Sequence, residues 1–197
     1  MRNHPCAVAA VRSDVGNLLF LREFFRNWRE VGFPLPSSRR AAQKVCELVD
    51  FVAGRSFIEI GPGTGSITRE LLSFLHDDAT LTALEVNRDF CRALRSVEDS
   101  RLKVHNVSAF QIRSVIREKV DCIISGIPIA SMTNSEVWAY LQQVTQVLKP
   151  EGIFIQLQIA PVSYLTLRHF FREVKVAFTL RNTPPLFLYR CRTTLKN

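Results

Sequence analysis

Along residues 17–31 the apolar positions Leu18, Leu21, Phe24, Phe25, Trp28 and Val31 gather on one half of a helical wheel, with Arg22, Glu23, Arg26, Arg29 and Glu30 on the other. That spacing predicts an amphipathic helix. Pro34 and Pro36 block its continuation, and Ser37 or Ser38 is placed to cap the next helix. Ala42, Val45, Cys46, Val49 and Val52 then recur at helical intervals, so this second helix is expected over residues 39–52, closed at its C-terminus by Gly54. Beyond Gly54 short apolar runs alternate with helical patterns. Strands are expected at residues 56–60, 80–86, 101–107, 120–125, 152–159, 174–179 and 186–191, the third near a sheet edge because charges interrupt it. Helices are expected after the first strand (Ile67, Leu71, Leu72 and Leu75 inward) and at residues 87–97, 135–147 and 162–171, with a turn at residues 149–152. Alternation that ends in two strands with no helix between them predicts an α/β layer, mostly parallel, with a reversed hairpin at the end.

Composition narrows the setting. With 197 residues, 47% of them hydrophobic, the chain suits one globular domain with a full core. No apolar run nears the roughly 18–20 residues that cross a bilayer, and the N-terminus is too polar for a secretory signal, so a cytoplasmic location is expected. The five cysteines (Cys6, Cys46, Cys91, Cys122, Cys191) are scattered without a C-x-x-C pair, which argues against a disulfide framework and a zinc site. No metal is expected. The net charge of +8 is concentrated at the ends: residues 1–45 carry eight Lys or Arg against three acids, and residues 162–197 carry seven against Glu173 alone. Cationic ends suit an anionic partner, nucleic acid or lipid, with ordinary solvation as the bland alternative.

The chemistry centres on Glu59, Gly61, Gly63 and Gly65, where a buried strand breaks into a glycine loop that opens a helix. Such units hold nucleotide-like cofactors. A phosphate-binding Walker loop needs a lysine after its last glycine, and Ser66-Ile67 lacks one. A dinucleotide fingerprint wants Gly or Ala at position 66. The spacing present, Glu-x-Gly-x-Gly-x-Gly, suits S-adenosylmethionine, whose zwitterionic methionine calls for a carboxylate and main-chain groups instead of a pyrophosphate cradle. Glu85, at the end of the second strand, is placed to take the two hydroxyls of an adenosine ribose. The purely structural alternative is a glycine turn beside an exposed Glu85.

Residues 58–68 resemble the cofactor motif shared by rRNA adenine dimethylases and the soluble bacterial phospholipid N-methyltransferases. Three further pieces resemble the phospholipid branch. Residues 22–32 with Pro36-Ser37-Ser38-Arg39 are similar to its N-terminal helix and Pro-Ser-Ser turn, and Ser125-Gly126-Ile127-Pro128 to its Ser-Gly-Leu-Pro loop. Leu148-Lys149-Pro150-Glu151-Gly152 through Pro184-Pro185 and Tyr189 is similar to its C-terminal half. The resemblance spans residues 17–192. It implies a single-domain, Rossmann-like class I methyltransferase fold over residues 39–197, with a seven-stranded, mostly parallel sheet, a reversed C-terminal strand, and an N-terminal amphipathic helical extension over residues 1–38. Two departures stand out. The family often places an acid where Ser108 precedes Ala109, against the adenine amino group. The dimethylases' Asn-Pro-Pro-Tyr type motif is replaced by Ser125-Gly126-Ile127-Pro128, and no residues remain for their C-terminal RNA-binding domain.

The expected cofactor-binding residues are therefore Glu59, Gly61, Gly63, Gly65, Glu85, Val86, Ser108, Ala109 and Ser125. Methyl transfer from a sulfonium is a displacement that depends on positioning and desolvation. Ser125 Oγ and the carbonyls of Gly126, Ile127 and Pro128 are expected to hold an acceptor amine, the alternative being a plain strand-to-helix turn. The expected acceptor is a phosphatidylethanolamine-like headgroup, reached at an anionic membrane surface through residues 18–31, with Arg39 and Arg40 as candidate phosphate contacts. The helix of residues 17–31 docked on the protein's own core is the competing reading. Adenine methylation in rRNA and a non-catalytic basic binding module on the same fold are the functional alternatives.

Overall fold

The computed structural model of the chain describes residues 39–159, 161, 163–179 and 185–193. The helix expected over residues 17–31, its membrane role and Cys6 lie outside them. Seven strands form one sheet in the order β3-β2-β1-β4-β5-β7-β6. They are β1 (Ser56–Ile60), β2 (Thr80–Leu84), β3 (Leu102–His105), β4 (Val120–Ser125), β5 (Leu148–Gln158), β6 (Glu173–Thr179) and β7 (Leu186–Arg192). β1 to β5 run parallel, and β7 lies antiparallel between β5 and β6. The reversed final strand and the edge position of β3 match the sequence pattern.

The helices are α1 (Arg39–Cys46), α2 (Ser66–Phe74), α3 (Arg88–Arg95), the short α4 (Ile112–Val115), α5 (Asn134–Val147) and α6 (Tyr164–Phe170). Both faces of the sheet are covered, which is why its central strands read as continuous apolar runs. Phe57, Cys122, Ile124, Ile153 and Ile155 pack on one side with Ala42 and Val45 of α1 and Leu71 of α2. Ile58, Ile123 and Phe154 pack on the other with Tyr140, Leu141 and Val144 of α5 and Leu167 of α6. The two sets alternate along β1, β4 and β5, as a pleated strand requires. Cys46, Cys91, Cys122 and Cys191 are free and buried, and burial raises the pKa of each thiol.

Two local expectations are corrected. The helix after Arg39 ends at Cys46, not Val52, and passes into turns in which Leu48 N donates to Val45 O and Val49 N to Cys46 O. Gly54 is not left-handed; it is glycine because a Cβ there would meet the Phe57 ring at 2.7 Å and Asp50 O at 2.8 Å. Residues 149–152 are not a turn outside the sheet but an irregular start of β5, with Glu151 at φ 63 and a register shift between Val120 and Cys122.

Candidate active site

The carboxyl ends of β1, β2 and β4 meet around the glycine loop. Gly61, Gly63 and Gly65 all have positive φ, at 68, 57 and 80, a region that side-chain-bearing residues rarely enter. Gly61 N donates to Leu84 O, which ties the loop to the end of β2. A Cβ on Gly61 would meet Ile127 Cγ2 at 2.9 Å, and one on Gly126 would meet Gly61 O at 2.9 Å. The loop after β4 is therefore pressed against the loop after β1. At Gly63 a Cβ would meet nothing within 4 Å, so the loop stands open there.

Glu85 follows β2 and is 1% exposed. Its Oε2 accepts from Gly63 N at 3.1 Å and its Oε1 from Asn87 N at 2.8 Å. Burial raises its pKa, and these main-chain donors oppose the shift. Asn106 donates to the carbonyls of Glu85 and Val86, both at 2.9 Å, and so fixes the backbone that carries the acid. Glu59 lies on β1 between Ala83 and Ile124, 2% exposed, and accepts from Thr68 Oγ1 at 2.6 Å. Burial pushes its pKa up to about 7; Thr68 opposes this and the charge of Glu85 adds to it. The exposed-Glu85 alternative is excluded.

Ser108 and Ala109 stand apart from this hydrogen-bonded group. Ser108 caps the turn Ala109–Gln111, its Oγ accepting from Phe110 N at 3.3 Å and its N donating to Gln111 Oε1 at 3.4 Å. Its Oγ also faces the Gln111 N–H in a capping box, and the hydroxyl proton remains available. Ser125 differs from expectation. Its side chain is wholly buried, and its Oγ accepts from Tyr140 Oη at 2.9 Å, beneath α5. It offers no surface to a substrate here; what the loop exposes is main chain. Ser125 O and Ile127 O accept from Gln156 Nε2, at 3.3 and 2.8 Å, and Pro128 O accepts from Ser131 N and Oγ. Gly126 O is the loop carbonyl left without a partner among the described residues.

Thr68, Asn87, Asn106, Tyr140, Gln156 and Gln158 had no role in the sequence reading. The glutamines did leave a signal, two polar residues alternating within an apolar strand. Buried polar groups at such spacing share one face and need partners. Among the described residues no group of three or more His, Cys, Asp or Glu could hold a metal ion.

The methyltransferase domain family matches residues 58–154. An ornithine lipid N-methyltransferase from Singulisphaera acidiphila is 31% identical over 182 residues, 88% of this chain and 94% of that protein. The chain belongs to that protein's methyltransferase family. It is an S-adenosylmethionine-dependent N-methyltransferase. A ribosomal RNA small subunit methyltransferase A from a Synechococcus species is 30% identical over 96 residues, 47% of this chain and 33% of that protein. Among solved structures, the N-methyltransferase NodS from Bradyrhizobium japonicum superposes with a TM-score of 0.69 at 16% identity, over 82% of this chain and 99% of NodS, a likeness of fold alone.

The residues of this methyltransferase fit its cofactor. The open, left-handed Gly63 lets a ligand lie on the main chain, and a buried acid stands at each of the two flanking strand ends. Held there, S-adenosylmethionine would offer the methyl of its sulfonium to an amine lone pair, with the neutral thioether as leaving group.

Proposed function

We propose that this enzyme methylates the primary amine of a membrane-lipid headgroup of the phosphatidylethanolamine type. The observation that carries the reading is likeness to a lipid N-methyltransferase over 88% of the chain, against 47% for the ribosomal RNA relative. The lipid relative's name also favours a second headgroup, ornithine, which ends in a primary alkyl amine as ethanolamine does. In this reading Glu59 holds the cofactor's ammonium, Glu85 and Val86 its ribose, Gly61, Gly63 and Gly65 its backbone-facing edge, and Ser108 with Ala109 its adenine. Gly126 O takes an N–H of the acceptor amine, while Ile127 and Pro128 keep the loop in place. Ser125, tied to Tyr140, anchors that loop from below. An alkyl amine must be neutral to attack, and desolvation in a closed site lowers its pKa in that direction.

The surface beside the site supports a lipid acceptor. Ile159, Tyr164 and Leu165, at the exit of β5 and the start of α6, are 55%, 41% and 82% exposed, and Trp138 packs against His169 and Phe170 of the same helix. Exposed Arg168, Arg172 and Lys175 come next along the chain. Aromatic and aliphatic side chains beside cations suit an anionic bilayer surface. Among the described residues no helix is long and apolar enough to cross a membrane, so the contact proposed is peripheral.

The test is incubation with methyl-labelled cofactor and three acceptors: phosphatidylethanolamine vesicles, ornithine lipid vesicles and ribosomal RNA. Label is expected in a lipid amine. Label confined to RNA, or in none of the three, would overturn the proposal. Leu165→Ser is expected to weaken flotation with anionic vesicles by about tenfold, the scale of burying one leucine.

A further inference from the structure

Gln156 and Gln158 stand two residues apart on β5, on the face shared by Phe154, and Tyr189 is the cross-strand partner of Gln156 on β7. All three are buried, Gln156 and Tyr189 completely and Gln158 to 2% exposure. Gln156 Nε2 donates to Ser125 O, Ile127 O and Leu157 O, at 3.3, 2.8 and 2.9 Å, and Gln158 Nε2 points at Ile127 O from 3.5 Å. Those carbonyls fix which way each amide faces, because a flipped amide would set oxygen against oxygen. The outcome is that Gln156 Oε1, Gln158 Oε1 and Tyr189 Oη have no partner in hydrogen-bond geometry among the described residues. The Ser163 N–H faces Tyr189 Oη outside standard hydrogen-bond geometry; burial raises the phenol's pKa, and this donor opposes the shift. A pocket of about 170 Å³ between the turn at residues 129–132, α5 and α6 shares Ser163 with this cluster and is lined by Ile129, Val137 and Trp138.

A strand that needed only stability would carry apolar residues here, since each buried polar atom without a partner is destabilising. We propose that Gln156, Gln158 and Tyr189 form the subsite for the acceptor headgroup, the two amide oxygens accepting from the amine N–H groups and Tyr189 Oη donating to an anionic oxygen of the same headgroup. This rests on the lipid-amine reading above and names the residues that select the acceptor. The chemistry suits the reaction. Gln156 Oε1, Gln158 Oε1 and Gly126 O are uncharged acceptors that favour an ammonium less than a carboxylate would, and a neutral primary amine uses two of them for its two N–H groups and keeps its lone pair. The pocket beside Ser163, lined by Asn134 and Thr166 as well as by Ile129 and Trp138, gives the rest of the headgroup a place to lie. All three atoms are closed to solvent in this structure, so binding requires a side-chain rearrangement at Ser163 and the pocket that it lines.

The test uses Tyr189→Phe, Gln158→Leu and Gln158→Glu in the full-length enzyme, leaving Gln156 alone because it also holds the Ile127 loop. Thermal midpoint and calorimetric cofactor affinity are expected to match the parent in Tyr189→Phe, which removes only an unpartnered hydroxyl. In Tyr189→Phe and Gln158→Leu, kcat/KM for phosphatidylethanolamine in mixed micelles is expected to fall about tenfold each, the scale of one hydrogen bond lost. Gln158→Glu brings a carboxylate to the amine and is expected to move the acidic limb of the kcat–pH profile up by about one unit. A purely structural role would leave that profile in place. The proposal is overturned if folded variants keep the parental acceptor kinetics and pH profile, or if all three atoms stay bonded to ordered water with the lipid bound. A parent that methylates no lipid amine overturns the functional reading and this subsite together; variants that match an active parent overturn the subsite alone.

Discussion

Asp121 at the amino end of β4 and Glu59 near the carboxyl end of β1 sit on neighbouring strands and titrate in opposite directions. Burial works against the charge of both. At Asp121 it loses: the Lys149 ammonium at 2.8 Å, the main-chain N–H groups of Arg55 and Ser56, and Ser56 Oγ together bring the pKa down to about 2. At Glu59 burial wins, because a single hydroxyl opposes it. The contrast extends beyond this pair. At the amino ends Asp99 pairs with Arg101, which also donates to Leu72 O and Leu75 O at the end of α2. At the carboxyl ends the partners of Glu59 and Glu85 are a hydroxyl and main-chain N–H groups. One end of the sheet is electrostatically complete. The other holds acids whose burial is opposed only by a hydroxyl and main-chain N–H groups.

Removing an acid from the complete end should cost stability and leave binding alone. Asp121→Ala discards a pKa depressed from 3.8 to about 2 and strips the Arg55 and Ser56 N–H groups of their acceptor. The expected loss is about 3 kcal/mol at pH 7, read from denaturant unfolding. In the parent the same contribution disappears as pH falls from about 4 to about 2, because protonation removes the charge that folding favours. Cofactor affinity should be unchanged. A weaker cofactor complex in this variant would break the division between the two ends.

Glu85→Gln is the reciprocal case. Gln keeps one acceptor but turns an NH2 group toward either Gly63 N–H or Asn87 N–H, donor against donor, and it removes the charge that, in the proposed reading, would strengthen bonds to the ribose hydroxyls. Calorimetric titration is expected to show cofactor affinity falling about 100-fold, the scale of two charge-assisted hydrogen bonds weakened. The thermal midpoint without cofactor should stay near the parent's, since the neutral amide escapes the burial cost that raises the Glu85 pKa. A large drop in that midpoint would make Glu85 a structural acid like Asp121.

The sheet and the cofactor end were legible because their signals are local. Period-two burial, the glycine spacing and an acid at a strand end each lie within a few residues. What stayed hidden was long-range. Tyr140 reaches Ser125 across 15 residues and Gln156 reaches Ile127 across 29, so nothing in the loop itself showed that its hydroxyl and most of its carbonyls were already engaged. The hydroxyl of Ser125 looked available because it was read with its neighbours in sequence and not with those in space. Gly54 misled for a related reason. Its place after a helical pattern matched a C-terminal glycine, while the actual demand comes from the Phe57 ring packed against its α-carbon.

Glu59 gives the smallest and most diagnostic effect, because its sign is reversed. Its pKa rises from 4.5 in the unfolded chain to about 7 in the fold, so between those values the folded state binds the extra proton. Stability from this group is complete below about pH 4.5 and lost as pH climbs to about 7, the opposite of Asp121. The full loss is about 3 kcal/mol. Glu59→Gln avoids it and keeps an oxygen for Thr68, but leaves an amide NH2 buried without a new acceptor, which returns about 1 kcal/mol. The variant without cofactor should therefore be more stable than the parent by about 2 kcal/mol at pH 8 and no more stable at pH 4, measured by denaturant unfolding at both. The same substitution should weaken cofactor binding at pH 8, where the parent offers an ionised carboxylate to the methionine ammonium, and parental affinity should tighten as pH rises toward 8. A variant that is stabilised and binds the cofactor as well as the parent would strip Glu59 of its role and leave its burial without a purpose.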